Sequence, residues 1–301
     1  MSVPRIIGNA LAAAPLLLLG GCGLVHAPVL DPHGVIALSE RDLLFGIAGL
    51  MLIVVVPVFV LTFWFAWHYR ASNVSARYMP DWSYSAALDA VVWLVPALLV
   101  GTIAYLVWDD THHLDPYKPI PAAAAPLEVD AVALDWKWLF IYPQRNIASV
   151  NVLVFPSNRP LRLRLTSDTV MNSFYIPGLG GQIFAMAGMR TRLNLRADGP
   201  ADFVGRNTQY SGVGFPEQTF AVHATSRARF DAWLAKAKGS PDRLDSRAYA
   251  ALAKPSANVS PRYYSGVEPD LFTHIIAKYA GPTAVPGRPS AALPPRSSKG
   301  Q

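Results

Sequence analysis

Cysteine is almost absent from this sequence, because Cys22 is the only one in 301 residues. A single cysteine excludes any disulfide within the chain, whatever the redox compartment. Charge is also scarce: Asp, Glu, Lys and Arg make up 15% of the residues, while 52% are hydrophobic. Such an apolar balance is unusual for a soluble protein and indicates membrane-spanning segments.

A second absence concerns the loop at residues 205–218, GRNTQYSGVGFPEQ. Its glycines lie between two strand-like runs, and loops of this shape often hold a metal ion between strands. This loop nevertheless contains no Cys, His or Met. Thiolate, imidazole and thioether groups are the ligands that select copper, so the loop has the outline of a copper site without the ligands.

The N-terminus has the features of a secretory signal. Arg5 precedes an apolar stretch over residues 11–19, which is too short to span a bilayer. The ending LGGC is similar to that of bacterial lipoprotein signals, whose cysteine is acylated. We therefore expect cleavage before Cys22 and lipidation of that cysteine, which would anchor the mature N-terminus. The alternative is an ordinary signal with an incidental cysteine.

Two long apolar runs, at residues 43–67 and 86–108, are each long enough to cross a bilayer as a helix. The short connection between them carries Arg70 and Arg77 against a single acid, Asp81. Positive charge favours the cytoplasmic side, so we expect the connection inside and both chain ends outside. An external, lipidated N-terminus is consistent with that orientation.

The remainder of the chain alternates hydrophobic and polar residues in short segments, as in 127–134 and 161–165. We expect further strands at 150–155, 170–176, 191–195, 202–204 and 219–224. Many short strands with turn residues between them favour a β-sandwich. Ser226 is a candidate cap for a helix that ends before Gly239, and a second short helix is expected over 270–279.

A lipidated N-terminus, a helical hairpin and an external sandwich together resemble subunit II of the haem–copper respiratory oxidases. The motifs are DWKWLFIYP at 135–143, VMNSFYIPGLGGQIFAMAGM at 170–189, and the loop at 205–218. The resemblance covers roughly residues 20–280 and is greatest for the bo-type branch that oxidises ubiquinol. It implies a transmembrane α-helical hairpin followed by an all-β, cupredoxin-like sandwich with C-terminal helices.

These features divide the chain into nine expected segments. The predicted boundaries are a lipoprotein signal peptide at 1–21, a periplasmic N-terminal segment at 22–42, the first transmembrane helix at 43–67, a cytoplasmic loop at 68–85, the second transmembrane helix at 86–108, a linker at 109–126, a cupredoxin-like domain lacking copper at 127–225, a C-terminal helical extension at 226–280 and a disordered tail at 281–301.

The copper-bearing members of the family hold two copper ions with two His, two Cys and one Met. The pattern of those ligands, laid on this sequence, places each of the five at a residue of another type. The five positions are Asn172 and Phe215 for the histidines, Asn207 and Ser211 for the cysteines, and Gln218 for the methionine. None of these side chains is a soft copper ligand. We therefore expect these positions not to bind copper, and no cofactor or metal to be bound by this chain.

The resemblance then implies an accessory subunit of a proton-pumping ubiquinol oxidase in the bacterial inner membrane, with the haems and the remaining copper in subunit I. Expected partners are subunit I, further small membrane subunits and membrane lipid, without nucleic acid or cytochrome c. Charge is consistent with the last point. From Pro121 onward 21 Lys and Arg stand against 12 Asp and Glu, a balance of +9, which would repel the basic cytochrome c of the usual members.

Asp89 is the candidate for a direct role, because it lies about one turn into the second apolar run. An acid within a membrane segment is costly and often functional. Related subunits carry a Glu at this position, near the mouth of a proton-uptake pathway, so the resemblance implies a proton-entry carboxylate. The alternative is an acid favoured by the helix dipole and reached by interfacial water.

Two other functions remain to be distinguished. A subunit II of a cytochrome c oxidase would need the missing copper ligands. A stand-alone lipoprotein scaffold with a degenerate cupredoxin domain would not need two further membrane spans.

Overall fold

The computed structural model describes residues 27–77 and 79–279. Cys22, the predicted signal peptide and the predicted tail at 281–301 lie outside these ranges. The described chain begins with two long helices, α1 (Val35–His68) and α2 (Ala86–His113). Both are long and apolar enough to cross a membrane.

Both helices run beyond the spans predicted from the apolar runs. Helix α1 begins eight residues before position 43, because Gly34 in extended geometry is the last break before it. Helix α2 continues five residues past Trp108, since no Gly or Pro interrupts the chain until Pro116. The predicted linker at 109–126 therefore starts later, at residue 114. The apolar runs located the helices, but hydropathy ends sooner than helical hydrogen bonding does.

The next segment forms two packed sheets. The strands are β1 (Leu127–Leu134), β2 (Lys137–Tyr142), β3 (Ile147–Val150), β4 (Val152–Pro156), β5 (Leu161–Ser167), β6 (Asn172–Tyr175), β7 (Gln182–Ala185), β8 (Thr191–Leu195), β9 (Ala201–Asn207), β10 (Thr219–Thr225) and β11 (Arg262–Tyr264). The six-stranded sheet has the order β11-β3-β2-β1-β5-β8, and the five-stranded sheet has the order β4-β10-β9-β6-β7. Most neighbours are antiparallel, but β1 pairs with β5, and β4 with β10, in parallel.

The single strand expected over 150–155 is two strands, each in a different sheet. Asn151 separates them in the left-handed region, at φ 56°. Its side-chain oxygen accepts a hydrogen bond from the Trp138 amide at 2.9 Å, and its Nδ2 donates to the Val259 carbonyl at 2.8 Å. Asn tolerates this conformation better than a β-branched residue would, so the chain can turn from one sheet into the other at this point.

Strand β2 was not among the predicted strands, although it lies within the DWKWLFIYP motif. All six of its residues are buried, so its sequence lacks the alternation of apolar and polar residues that marks strands such as β1 and β5. Trp138 and Phe140 face the core between the sheets, while Leu139 and Ile141 face a second core on the outer side. Aromatic rings fill the inner core, with Phe174 and Phe220 stacked at 5.0 Å between ring centroids.

The C-terminal extension contains α3 (Arg227–Lys238), α4 (Ser246–Leu252) and α5 (Leu271–Ala277). Ser226 caps α3 by accepting a hydrogen bond from the Arg229 amide, as predicted. The extension predicted at 226–280 is not purely helical, because it also supplies β11 at one edge of the six-stranded sheet. Its apolar side chains cover the outer face of that sheet and form the second core. They are Leu244, Leu252, Tyr264, Leu271, Phe272 and Ile275.

The N-terminal end of α1 and the residues just before it contact the sandwich directly. The His33 amide donates to the Gly178 carbonyl at 2.9 Å, and a Glu40 carboxylate oxygen accepts from the Gly181 amide at 2.9 Å. Gly180, at φ +76°, lies so close to α1 that a Cβ atom there would be 2.8 Å from the Ala37 nitrogen. The GLGG sequence within the 170–189 motif therefore permits the approach of sandwich and helix.

Candidate functional site

The loop at 208–218 joins β9 to β10, two antiparallel neighbours in the five-stranded sheet. Asn207 is the last residue of β9, and Gln218 immediately precedes β10. Asn172 begins β6, which pairs with β9 on its other side. Strand order therefore brings three positions that are far apart in sequence to one end of the sandwich, and the loop adds Ser211.

Four of the five positions that the resemblance aligns with copper ligands meet there in one hydrogen-bonded group, which we call the polar cluster: Asn172, Asn207, Ser211 and Gln218. Asn207 is at its centre. Its Nδ2 lies 2.8 Å from Asn172 Oδ1, 2.9 Å from Gln218 Oε1 and 3.1 Å from Ser211 Oγ. Gln218 completes the group, accepting from Ser211 Oγ at 2.8 Å and donating from Nε2 to Asn172 Oδ1 at 3.0 Å.

The polar cluster is also bonded to the backbone of the segments around it. Asn207 Oδ1 accepts from the amides of Ser173 at 2.8 Å and Gln209 at 3.0 Å. Asn172 Nδ2 donates to the Val170 carbonyl at 2.8 Å. Asn172, Asn207 and Gln218 are 0%, 5% and 1% exposed. A buried polar group is costly unless it is hydrogen-bonded, and here each amide side chain is bonded on both its oxygen and its nitrogen.

These residues do not fit a copper centre. Amide and hydroxyl groups are neutral, hard donors, whereas copper sites of this kind use thiolate and imidazole. The fifth position, Phe215, has no donor atom, and its ring packs against Tyr210 with 5.8 Å between centroids. Within residues 27–77 and 79–279, no three or more His, Cys, Asp or Glu side chains are grouped so that they could hold a metal ion. The side chains of the polar cluster are bonded to one another and not arranged around a ligand.

Trp136 supports the loop from the outside. Its Nε1 donates to the Ser211 carbonyl at 3.1 Å, and its backbone is held at φ 63°. A Cβ atom at Gly214 would lie 2.4 Å from the indole ring, so only glycine allows the loop to pass this closely. The DWKW motif and the loop glycines are thus parts of one contact. The sequence marks the DWKW motif but does not pair Trp136 with the loop, since Trp136 and Ser211 are 75 residues apart along the chain.

Two buried charged residues near the polar cluster were not singled out from the sequence. Lys137 is fully buried, and burial lowers the pKa of its ammonium group. The side chain of Asp168 is 1% exposed and pairs with Lys278 at 2.8 Å. A charged residue inside a strand or at its end gives no sequence signal of burial, because its partners come from a distant segment.

Asp89 lies far from the polar cluster, in the first turn of α2. Its amide donates to the Ser85 carbonyl at 2.9 Å, and its side chain is exposed. The α2 axis from Asp89 to the end that approaches the sandwich is about 36 Å long at the usual rise of a helix. The structure therefore separates the two kinds of candidate site, and Cys22 lies outside the described residues.

Comparison with known proteins shows which family this chain belongs to. The family described as COX Aromatic Rich Motif matches residues 238–283, a range that overlaps most of the C-terminal extension. Cytochrome bo(3) ubiquinol oxidase subunit 2 of Pseudomonas putida is 49% identical over 287 residues, covering 95% of this chain and 90% of that protein. Ubiquinol oxidase subunit 2 of Acetobacter aceti is 48% identical over 265 residues, covering 87% of this chain and 85% of that protein. This chain belongs to the ubiquinol oxidase subunit 2 family.

Among solved structures, the periplasmic domain of subunit II of the cytochrome oxidase of Bradyrhizobium japonicum is 23% identical, with a TM-score of 0.37. The match covers 39% of this chain and 97% of the Bradyrhizobium japonicum chain. The fold class expected from the sequence is confirmed for this member of the ubiquinol oxidase subunit 2 family. Two apolar helices precede a cupredoxin-like β-sandwich, and helices follow it.

Proposed function

We propose that this chain is the accessory, copper-free subunit 2 of a proton-pumping ubiquinol oxidase, a complex that reduces oxygen to water. The relatives named ubiquinol oxidase subunit 2 support the proposal over nearly the whole chain. The observation that carries it is the polar cluster, in which four former ligand positions are occupied by amides and a hydroxyl bonded to one another. A domain built in this way has no acceptor for electrons from cytochrome c.

Electrons then enter the complex from ubiquinol in the membrane. In this proposal the oxidation takes place in subunit I, which also holds the haems and the copper of the oxygen-reducing site. Subunit 2 contributes assembly: the two exposed apolar helices dock on subunit I and the smaller membrane subunits, and membrane lipid covers the remaining surface. Fixing the sandwich to the helix ends through Glu40 and His33 sets its position above the membrane.

The proposed location is the bacterial inner membrane, with two spans. Arg70 and Arg77 favour a cytoplasmic connection between the spans, and that orientation would put the N-terminus and the sandwich in the periplasm. An acylated Cys22 would anchor the N-terminus on that same side. Mass spectrometry of the mature N-terminal peptide tests this anchor, and an unmodified Cys22 would refute it.

We further propose Asp89 as a proton-entry carboxylate at the cytoplasmic side. It lies at the end of α2 that is opposite the sandwich, and its exposed side chain is available to a partner subunit in the membrane. An ionisable residue in a membrane segment is expensive to keep, which supports a functional role.

Purification from native membranes tests the main proposal. The expected result is a complex that contains a haem-bearing subunit, consumes oxygen with ubiquinol and not with reduced cytochrome c, and has no copper attributable to this chain. A copper content two ions above that of subunit I, together with cytochrome c oxidation, would instead identify a cytochrome c oxidase subunit. Isolation without haem partners would identify a stand-alone lipoprotein scaffold.

A further inference from the structure

The aromatic-rich segment matches residues 238–283, and its described part, 238–279, lies on the outer face of the six-stranded sheet, where its apolar residues contribute to the second core. Apolar packing alone would explain a cover for that face. It does not explain why two charged side chains, Asp168 and Lys137, are buried under the same segment. Both lie at the end of the sandwich that carries the polar cluster.

Within the described residues, both side chains that donate hydrogen bonds to the Asp168 carboxylate belong to the extension. Tyr249 Oη donates to Oδ2 at 2.6 Å, and Lys278 Nζ donates to Oδ1 at 2.8 Å. Tyr279 Oη donates to the backbone carbonyl of the same residue at 2.9 Å. Hydrogen bonds to a buried carboxylate are among the stronger ones in proteins, so the Asp168 carboxylate holds Tyr249 and Lys278, and its carbonyl holds Tyr279 beside them.

Asp168 immediately follows β5 and begins the loop that leads to Asn172. Ser167, the last residue of β5, donates from Oγ to the Val170 carbonyl at 2.7 Å, and Thr169 Oγ1 in the loop bonds to Asp135. The Val170 carbonyl also accepts from Asn172 Nδ2. The loop at 167–172 is therefore held by the extension at one end and by the polar cluster at the other.

Lys137 makes the second connection. Its Nζ donates to the Lys254 carbonyl and to Ser256 Oγ, each at 2.8 Å, and to the Asp135 carbonyl at 3.1 Å. Lys254 and Ser256 belong to the extension, while Lys137 directly follows Trp136. Since Trp136 supports the loop at 208–218, the extension is connected through one residue to the second loop of the former copper site.

We propose that the aromatic-rich extension is a clamp that holds the loops of the copper-free site in one conformation, in place of the cross-link that a metal would provide. Asp168 and Lys137 are its positioning residues. The clamp fixes the turn at 135–137 and the loop at 167–172, and the polar cluster connects both to the loop at 208–218. The inference rests on the copper-free site of the proposed function and is independent of the electron donor.

Hydrogen–deuterium exchange on the purified native complex tests the clamp. The variant Tyr249→Phe/Lys278→Met removes both side-chain donors to Asp168 and leaves the sandwich sequence intact. Exchange in peptides covering 134–138, 167–172 and 207–218 should accelerate roughly tenfold or more, because losing even one hydrogen bond to a charged group has an effect of that size and this variant loses two. Tyr249→Phe alone, with a smaller increase in the same peptides, serves if the double variant does not assemble.

The matched control is Tyr263→Phe/Lys236→Met, the same two substitutions in the same extension. Lys236 lies over the Tyr263 ring at 5.6 Å, and neither residue contacts Asp168. The control should leave the three loops at the wild-type exchange rate.

Two results would overturn the clamp. In one, exchange rises only within the extension at 246–279; in the other, it rises equally in β3 and β4, so that the effect is general destabilisation. Copper content and quinol oxidase activity, measured on the same preparations, test the proposed function separately. Copper bound at the polar cluster would contradict that function, whereas loss of quinol oxidation alone would leave the exchange result standing.

Discussion

At the scale of single residues, the polar cluster shows how a metal-site geometry can be kept closed without a metal. An amide side chain has both a donor and an acceptor, so neighbouring amides can satisfy each other in a buried space. Asn207 uses both ends of its amide. Its oxygen accepts hydrogen bonds from two backbone amides, and its nitrogen faces three side-chain oxygens. Each such bond contributes about 0.5–1.5 kcal/mol net, but breaking one partner costs more because the other is left buried.

Asn207→Leu keeps the volume of the side chain and removes its hydrogen bonds. The amides of Ser173 and Gln209 lose their acceptor, and the free energy of unfolding should fall by about 2–4 kcal/mol. Urea unfolding of the full chain in detergent, followed by tryptophan fluorescence, measures the change. Val213→Ser is the control, because Val213 is 89% exposed and the substitution should shift stability by less than about 0.5 kcal/mol. Equal stabilities would contradict the assigned role of Asn207.

Asp89 allows a second test with a single residue. Asp89→Asn preserves size and removes the ionisable proton, so turnover of an assembled oxidase should fall several-fold at saturating quinol. Asp81→Asn removes an acid from the cytoplasmic connection and should leave turnover near wild type. Oxygen consumption of the two purified complexes, normalised to haem, gives the comparison. Unchanged turnover in the Asp89 variant would exclude the proton-entry role.

At the scale of elements, the register of the strands that flank the loop at 208–218 brings together the positions that the resemblance aligns with copper ligands. Strand β9 pairs with β6 at Asn207, and β10 starts just after Gln218. The backbone therefore brings four ligand positions together whatever side chains they carry. Phe215 alone lies outside the cluster, in a short 3-10 turn at Phe215–Glu217.

Restoring the ligand types should restore the metal. The variant Asn172→His/Asn207→Cys/Ser211→Cys/Phe215→His/Gln218→Met should bind about two copper ions per chain, since thiolates and imidazoles select copper. Metal analysis and a visible thiolate-to-copper absorption band report the binding. The variant that omits both cysteine substitutions is the control and should lack the band. Failure of the complete variant to bind copper would show that the loop has lost the backbone geometry.

At the scale of the whole molecule, one strand links the two cores. The two faces of β2 are both buried, one in the core between the sheets and one under the extension. The extension also contacts the end of the sandwich that carries the polar cluster, through Tyr249, Lys278 and Tyr279 on Asp168. Helices, sandwich and extension are therefore mechanically connected through a small number of contacts.

High pH should release the extension. Burial raises the pKa of Tyr249 and Tyr279 above the usual 10.0, and the hydrogen bond to Asp168 raises that of Lys278 above 10.5. Since each folded pKa exceeds the unfolded value, this stabilisation is complete below about pH 10 and is lost as pH rises further. Exchange rates of peptides from 246–279, corrected for the intrinsic pH dependence, should be constant from pH 7 to 9.5 and rise above pH 10. Rates that stay constant to pH 11 would contradict the assignment.

The sequence by itself determined the segments with a local cause. Uninterrupted apolar runs located α1 and α2, alternation located β1 and β5, and Ser226 with Gly239 bounded α3. The identities at the five positions aligned with copper ligands also predict from the sequence alone that copper does not bind, because ligand chemistry belongs to each side chain. These inferences needed no knowledge of which residues meet in space.

Only the tertiary structure decided what depends on distant partners. Strand β2 is buried on both faces because the extension covers one of them, and Asn151 divides a predicted strand because its side chain bonds to Val259. The burial of Lys137 and Asp168 depends in the same way on the aromatic-rich segment, more than 80 residues further along the chain. A local pattern cannot encode the energy of such contacts, since it arises only when the folded chain removes both partners from water.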